Sequence, residues 1–240
     1  MTLKLYFHPL ASFCHKALIA LYENRIPFEP IIVDLRDVAS SAAFRAVWPM
    51  AKMPVLRDEA RNRTVAESTV IIEFLDAHYP GPTRFLPADV DRAWQTRMWD
   101  RFYDHYVQEP MQKIVGDRLR PEGRADAYGA ELAKAQLQKA YGVMEREMES
   151  KTWAIGDDFT LADCAAAPAL FYANTVIPFA ETHKNLAAYL DRLMARPSFA
   201  RVLEEAQPYF HLFPMERKPT IARPTPMVPT ITAAQNVHHT

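Results

Sequence analysis

The sequence predicts two domains, an α/β unit over residues 1–80 and an all-α unit over residues 89–216. Three observations carry this reading. The first eighty residues alternate strand-like and helix-like patterning in the order β-α-β-α-β-β-α. Tyr79-Pro-Gly-Pro82, with Pro87 beyond it, is a composition break that marks a linker over 81–88. After that break only helical periodicity remains. With 240 residues, 49% of them hydrophobic, the chain can fill two ordinary cores.

Each element has its own signal. Leu3, Leu5 and Phe7 alternate with Lys4 and Tyr6, as in a half-buried strand. Cys14, Ala17, Leu18 and Leu21 share one helical face, and Pro27 ends that helix. Residues 28–33 are rich in β-branched side chains and read as a second strand, which the first βαβ unit predicts to be parallel to the first. Ser41 is positioned to cap a short helix that stops before Trp48-Pro49. Val55-Leu56 and Thr64 to Ala66 read as two short strands joined by a charged turn. Ser68 then opens a helix with Ile71, Phe74, Leu75 and His78 on one side.

Composition excludes several function classes. Lys plus Arg number 28 against 29 Asp plus Glu, a net charge of −1, so no nucleic-acid partner is expected. No apolar run reaches the roughly 18 residues that span a bilayer, so no membrane association is expected. The N-terminus reads as a first strand and not as a signal peptide. Two distant cysteines, Cys14 and Cys164, make no disulfide framework and fit a reducing, cytoplasmic compartment. No glycine precedes Gly81, which rules out a glycine-rich phosphate loop in the first domain. No Cys-x-x-Cys or His-x-x-x-His occurs, so no metal is expected.

Three motifs of the first domain resemble those of glutathione transferases. They are His8-Pro-Leu-Ala-Ser-Phe-Cys-His-Lys16, Trp48-Pro-Met-Ala-Lys-Met-Pro-Val55 and Ala66-Glu-Ser-Thr-Val-Ile71. The resemblance implies a thioredoxin-like N-terminal domain with an all-helical C-terminal domain, and it extends to about residue 212. It implies a cis bond before Pro54, so that Met53 pairs its backbone with the cysteinyl part of glutathione. Glu67 and Ser68, at a helix N-terminus, would receive the γ-glutamyl carboxylate. Lys52 would pair with the glycyl carboxylate. Ser12, in the first turn of the first helix, would stabilise the thiolate. Two other registers stay open. One places Ala11 at the serine position and matches Cys14, and the other uses Tyr6. Ala51 stands where the family usually has Gly, and Phe13 where many members have Pro.

In the helical half, residues 89–115 read as one long helix or two, interrupted near Pro110. Residues 125–149 carry the core stripe Leu132, Leu137, Tyr141, Met144 and Met148. Thr160 and Asp163 have capping-box spacing, with Phe159 and Cys164 as the hydrophobic staple, so Asp163 reads as a folding residue. The Phe-Thr-Leu-Ala-Asp string resembles the family's C-domain capping motif. Two further helices, 185–196 and 198–206, complete the bundle. Residues 217–240, with four prolines, read as a surface tail.

The resemblance also suggests a second-substrate pocket lined by Phe7, Leu10 and Phe13 opposite Phe102, Tyr103 and Tyr106. It suggests Asp104 as a partner for the glutathione amine of a neighbouring subunit. The expected activity is transfer of the glutathione thiol, as thiolate, to an apolar small-molecule electrophile by a homodimeric enzyme. The alternative is a non-catalytic binding or interaction protein of the same fold.

Overall fold

The computed structural model describes residues 2–221. The N-terminal unit follows the expected order: β1 (Leu3–Phe7), α1 (Ser12–Glu23), β2 (Glu29–Ile32), α2 (Val38–Val47), β3 (Val55–Asp58), β4 (Arg63–Ala66) and α3 (Ser68–His78). The four strands form one sheet in the order β2-β1-β3-β4. β1 runs parallel to β2 and antiparallel to β3, and β3 pairs antiparallel with β4. Alternation along β1 sends Leu3, Leu5 and Phe7 into the main core with α1 and α3. It sends Tyr6 to the other face, where Tyr6 stacks on Phe44 of α2 at 5.9 Å. One expected cap is corrected. α2 begins three residues before Ser41, because the Asp37 carboxylate accepts from the Ser40 N–H at 2.6 Å.

The second unit is helical. α4 (Val90–Phe102), a π-helical turn (Tyr103–Gln108) and α5 (Glu109–Asp117) follow one another without a break. The interruption expected near Pro110 is therefore that π turn, which directly precedes Pro110, a residue with no N–H to return to the turn before it. Then come α6 (Ala127–Glu147), α7 (Leu161–Val176), α8 (Lys184–Ala195), α9 (Pro197–Ala206) and a 3-10 turn (Gln207–Leu212). In α6 the stripe residues Leu137, Tyr141 and Met144 are buried, but Leu132 is exposed and belongs to the solvent face.

Asp163 does what its spacing predicts. Its carboxylate accepts from the N–H groups of Ala154 and Thr160, both at 2.8 Å, from the Thr160 hydroxyl and from Tyr189 Oη at 2.6 Å. That completes the capping box at the head of α7, the buried axis of the bundle.

The two units share one apolar core, in which α1 packs on α7 and α9. The Arg196 guanidinium pairs with both Glu23 carboxylate oxygens across this junction. The linker is pinned by Asn24, whose amide bonds both the carbonyl and the N–H of Thr83. Any Cβ at Gly81 would meet the Asn24 side chain at 2.4 Å, so the chain needs glycine there. The expected tail begins later than residue 217. Pro219 is buried and Ile221 packs against the core, while residues 222–240 of that tail lie outside the described residues.

Candidate functional site

A cleft of about 240 Å³ opens between the two units. Its floor on the N-terminal side carries Lys52, Met53, Pro54, Glu67, Ser68 and Thr69, with Phe13 at one end. Its opposite wall carries Arg101, Asp104, His105, Glu109 and Gln112. All five of the expected glutathione-binding residues of the first domain are thus brought together from two chain segments, the turn before β3 and the start of α3.

The local chain geometry makes this floor. The Met53–Pro54 bond is cis, and Met53 lies two residues before the ladder starts at Val55. Ala51 has φ +51°, a left-handed conformation that favours glycine, which explains why a family with this turn would use Gly here. Glu67, also left-handed at φ +67°, precedes α3 without capping it. The first N–H groups of α3 are consequently left to face the cleft beside the buried Ser68 hydroxyl. That is a site for an anion, with the helix dipole adding to the hydrogen bonds.

α1 offers a second helix N-terminus. Its N-cap is Ala11, which has no side chain to cap with. Ser12 is buried behind Phe13 and does not itself line the cleft, which α1 reaches through Phe13; its Oγ accepts from Gln108 Nε2 of the π turn. The loop before it is anchored from beneath by His15, whose Nε2–H donates to the Pro9 carbonyl at 2.5 Å. Burial pulls His15 down to about 4, so the ring stays neutral.

The rival registers fare differently. Cys14 is fully buried, and desolvation pushes its thiol up to about 12, so it is a core side chain and not a thiolate. Tyr6 points to the α2 face and does not line the cleft.

The aromatic candidates need correction. Of Phe7, Leu10, Phe13, Phe102, Tyr103 and Tyr106, only Phe13 lines the cleft. Tyr103 is fully buried core. Phe7 faces a different hollow, between β2 and α9, and Leu10 packs against the core. Phe102 and Tyr106 stack on each other at 5.2 Å, with Tyr106 exposed. The reason is the helical repeat: cleft-facing positions advance by four, through Arg101, His105 and Glu109, and the aromatics occupy the faces between. The wall opposite the floor is therefore polar.

Asp104 lies on the cleft wall. Its carboxylate is held within its own chain by Lys16 Nζ at 2.9 Å and Arg101 Nη2 at 2.8 Å. Lys16 is buried, lies 2.5 Å from Asp100 Oδ1 and donates to Thr69 Oγ1 at 2.8 Å. Two aspartates face one lysine and one arginine, so the cluster is charge-balanced where desolvation would otherwise be severe. Burial still raises the Asp104 carboxyl above the usual range, with Lys16 opposing. Sequence reasoning missed Lys16, Thr69, Asp100, Arg101 and Gln108. Asp100 and Asp104, four apart on one helix face opposite a lysine set in an apolar helix, are the signal that could have found the cluster.

The Glutathione S-transferase N-terminal domain matches residues 5–83 and the Glutathione S-transferase C-terminal domain matches residues 102–197. Rattus norvegicus glutathione S-transferase theta-1 is 30% identical over 210 residues, covering 81% of this chain and 83% of its own. A Methylobacillus flagellatus glutathione S-transferase solved with GSH bound superposes with a TM-score of 0.76 at 25% identity, covering 83% of this chain and 98% of its own. One from Methylobacterium radiotolerans, in complex with glutathione sulfonate, gives 0.74 at 28% identity, with coverages of 83% and 93%. The chain belongs to the glutathione S-transferase family.

Proposed function

We propose that the cleft binds glutathione and that Ser12 stabilises its thiolate for attack on a small-molecule electrophile. The observation that carries this is the convergence on one cleft of three features: the cis bond after Met53, the uncapped N-terminus of α3 at Ser68, and the N-terminus of α1. Ser68 and the first N–H groups of α3 take the γ-glutamyl carboxylate, and Lys52 takes the glycyl carboxylate. Met53 pairs with the cysteinyl backbone. The polar wall gives no support to a strictly apolar second substrate. Asp104, already neutralised by Lys16 and Arg101, is a support for that wall, not a ligand for another subunit's glutathione.

The energetics assign Ser12 its role. Bringing a thiol from about 8.5 to about 6.5 requires roughly 2.7 kcal/mol in favour of the anion. A helix N-terminus supplies about 0.3–1 kcal/mol, and up to about 2 when partly buried. A hydroxyl donor to the anion adds about 1.5–3 kcal/mol. The dipole falls short alone, and the two together suffice.

The test is Ser12→Ala, with the thiolate of bound glutathione titrated by its ultraviolet absorbance. The variant raises that pKa and lowers turnover about tenfold, with much less change in affinity. If Ser12→Ala titrates like wild type while Tyr6→Phe does not, the role belongs to Tyr6. A conjugation assay that shows no glutathione-dependent turnover favours the non-catalytic reading.

The same reading includes a homodimer in a reducing, cytoplasmic setting. Val70, Trp94 and Met98 are exposed on α3 and α4, beside a hollow lined by Val65 and Phe74. Two such faces related by a two-fold axis bury one another. A monomer mass by light scattering at micromolar concentration refutes this part. Both cysteines are free and buried, as a reducing compartment permits.

A further inference from the structure

Resting on that reading of Ser12, we propose that Gln108 is a positioning residue that directs the Ser12 hydroxyl proton toward the glutathione sulfur. Gln108 ends the π turn, and its side chain is buried against the first turn of α1. Its Nε2 donates to Ser12 Oγ. Its Oε1 is buried with no hydrogen-bond partner among the described residues.

A serine hydroxyl has one proton to give and can accept two. Receiving the amide N–H fills an acceptor position and leaves the proton of Ser12 uncommitted to Gln108. The proton is therefore available to the cleft beyond Phe13, where the sulfur of bound glutathione lies in this reading. Accepting one hydrogen bond also strengthens a hydroxyl as a donor, so Gln108 N–H, Ser12 O–H and thiolate form a chain in which every donor points toward the anion.

Turning the amide over would reverse this. Oε1 would then take the Ser12 proton, and the NH₂ group, with two donors, would stand unpaired where Oε1 now stands. A buried orphan oxygen is the lesser cost, and a thiolate favours the same orientation. The turn is also clamped. One helical turn along α1 from Ser12, Lys16 holds Asp104, which is four residues before Gln108. Two parallel pairs, Ser12 with Gln108 and Lys16 with Asp104, fix the donor before substrate arrives, which is the condition for electrostatic preorganisation.

The test uses the full chain and two variants. Gln108→Leu removes the donor at nearly constant size, and Gln108→Glu replaces it with an acceptor that competes for the Ser12 proton. The readouts are the thiol pKa of bound glutathione, turnover with chlorodinitrobenzene, and calorimetric affinity for glutathione, which also reports correct folding. Gln108→Leu raises the thiol pKa and lowers turnover about fivefold, with affinity within about twofold of wild type. Gln108→Glu does more. In the Ser12→Ala background the Gln108→Leu effect vanishes, as it must if Gln108 acts through Ser12. An effect of equal size with and without Ser12, or no effect of either variant on the thiol pKa, overturns the proposal. If Ser12→Ala alone leaves the pKa unchanged, the underlying reading of Ser12 fails and this proposal falls with it. If Ser12→Ala shifts it and the Gln108 variants do not, only the proposal fails.

Discussion

Replacing Lys16 with methionine keeps the length of the side chain and deletes its charge. In the folded protein this leaves Asp100 and Asp104, both buried, facing only the half-exposed Arg101. Removing one partner of a buried charge cluster typically costs about 3–5 kcal/mol, because the remaining charge has lost both water and its counterion. Contacts of 2.5 Å and 2.9 Å to two carboxylates place Lys16→Met at the upper part of that range.

The loss should also depend on pH. Burial already raises the Asp104 carboxyl in the folded state, and Lys16 is the main group holding it down. Without Lys16 it rises further. A raised carboxyl is protonated in both folded and unfolded chains below the unfolded value of about 3.9, and there it carries no penalty. As pH climbs past that value the unfolded chain ionises first, and the folded state loses stability until the folded carboxyl ionises too. Each tenfold loss of acidity in the variant makes about 1.4 kcal/mol of the damage pH-dependent. Urea unfolding followed by circular dichroism, at fixed protein concentration, reads this directly. Lys16→Met should be less damaging at about pH 4.5 than at pH 7 by at least about 1.4 kcal/mol. Equal damage at the two pH values, or more in acid, would refute the picture of a balanced interior cluster.

Three further outcomes are expected. Ser68→Ala removes a hydrogen bond to a charged carboxylate and should weaken glutathione binding by about 1.5–3 kcal/mol; wild-type affinity in a calorimeter would remove the γ-glutamyl assignment from α3. Ala51→Gly relieves a left-handed alanine worth about 1–2 kcal/mol and adds about 0.5–1 kcal/mol of chain entropy cost, so the urea midpoint should rise by the equivalent of up to about 1.5 kcal/mol. A fall in that midpoint would contradict the backbone argument. Asp163→Ala strands the buried N–H groups of Ala154 and Thr160 and the Tyr189 hydroxyl, and should cost at least about 3 kcal/mol while the remaining folded protein binds glutathione normally. A loss under about 1 kcal/mol would demote the capping box.

Much of the architecture was legible because its signals are local. Alternation in Leu3 to Phe7 fixes a strand face within five residues, and Thr160 with Asp163 needs only a spacing of three. The cleft floor was legible for a related reason: Met53-Pro54 and Glu67-Ser68 are short motifs whose backbone roles travel with them. The opposite wall was not. Lys16 and Asp104 are 88 residues apart, and the local hints, a lysine in an apolar helix and two aspartates four apart, do not say that the two meet. The aromatic residues from Phe102 to Tyr106 misled because composition says that aromatics are present but not which face they occupy. In a helix with a π turn, the face cannot be counted off at 3.6 residues per turn. The α2 cap was misjudged because Asp37 and Ser41 are both good caps, and only the chain path chooses between them.

The π turn between α4 and α5 also bears on how such a protein can change. A π turn holds one residue more than the helix it interrupts. Deleting one residue within Tyr103–Gln108 would let the segment close into regular helix, and because the wider turn absorbs that extra residue, α5 would keep nearly the same facing relative to α4. Arg101, Glu109 and Gln112 would keep their places on the wall opposite the floor, while the side chains of the turn itself, from Asp104 to Gln108, would shift against α1. The length of this one turn is therefore a lever by which insertion and deletion could reset the side chains that meet α1, Asp104 and Gln108, and leave both flanking helices in place.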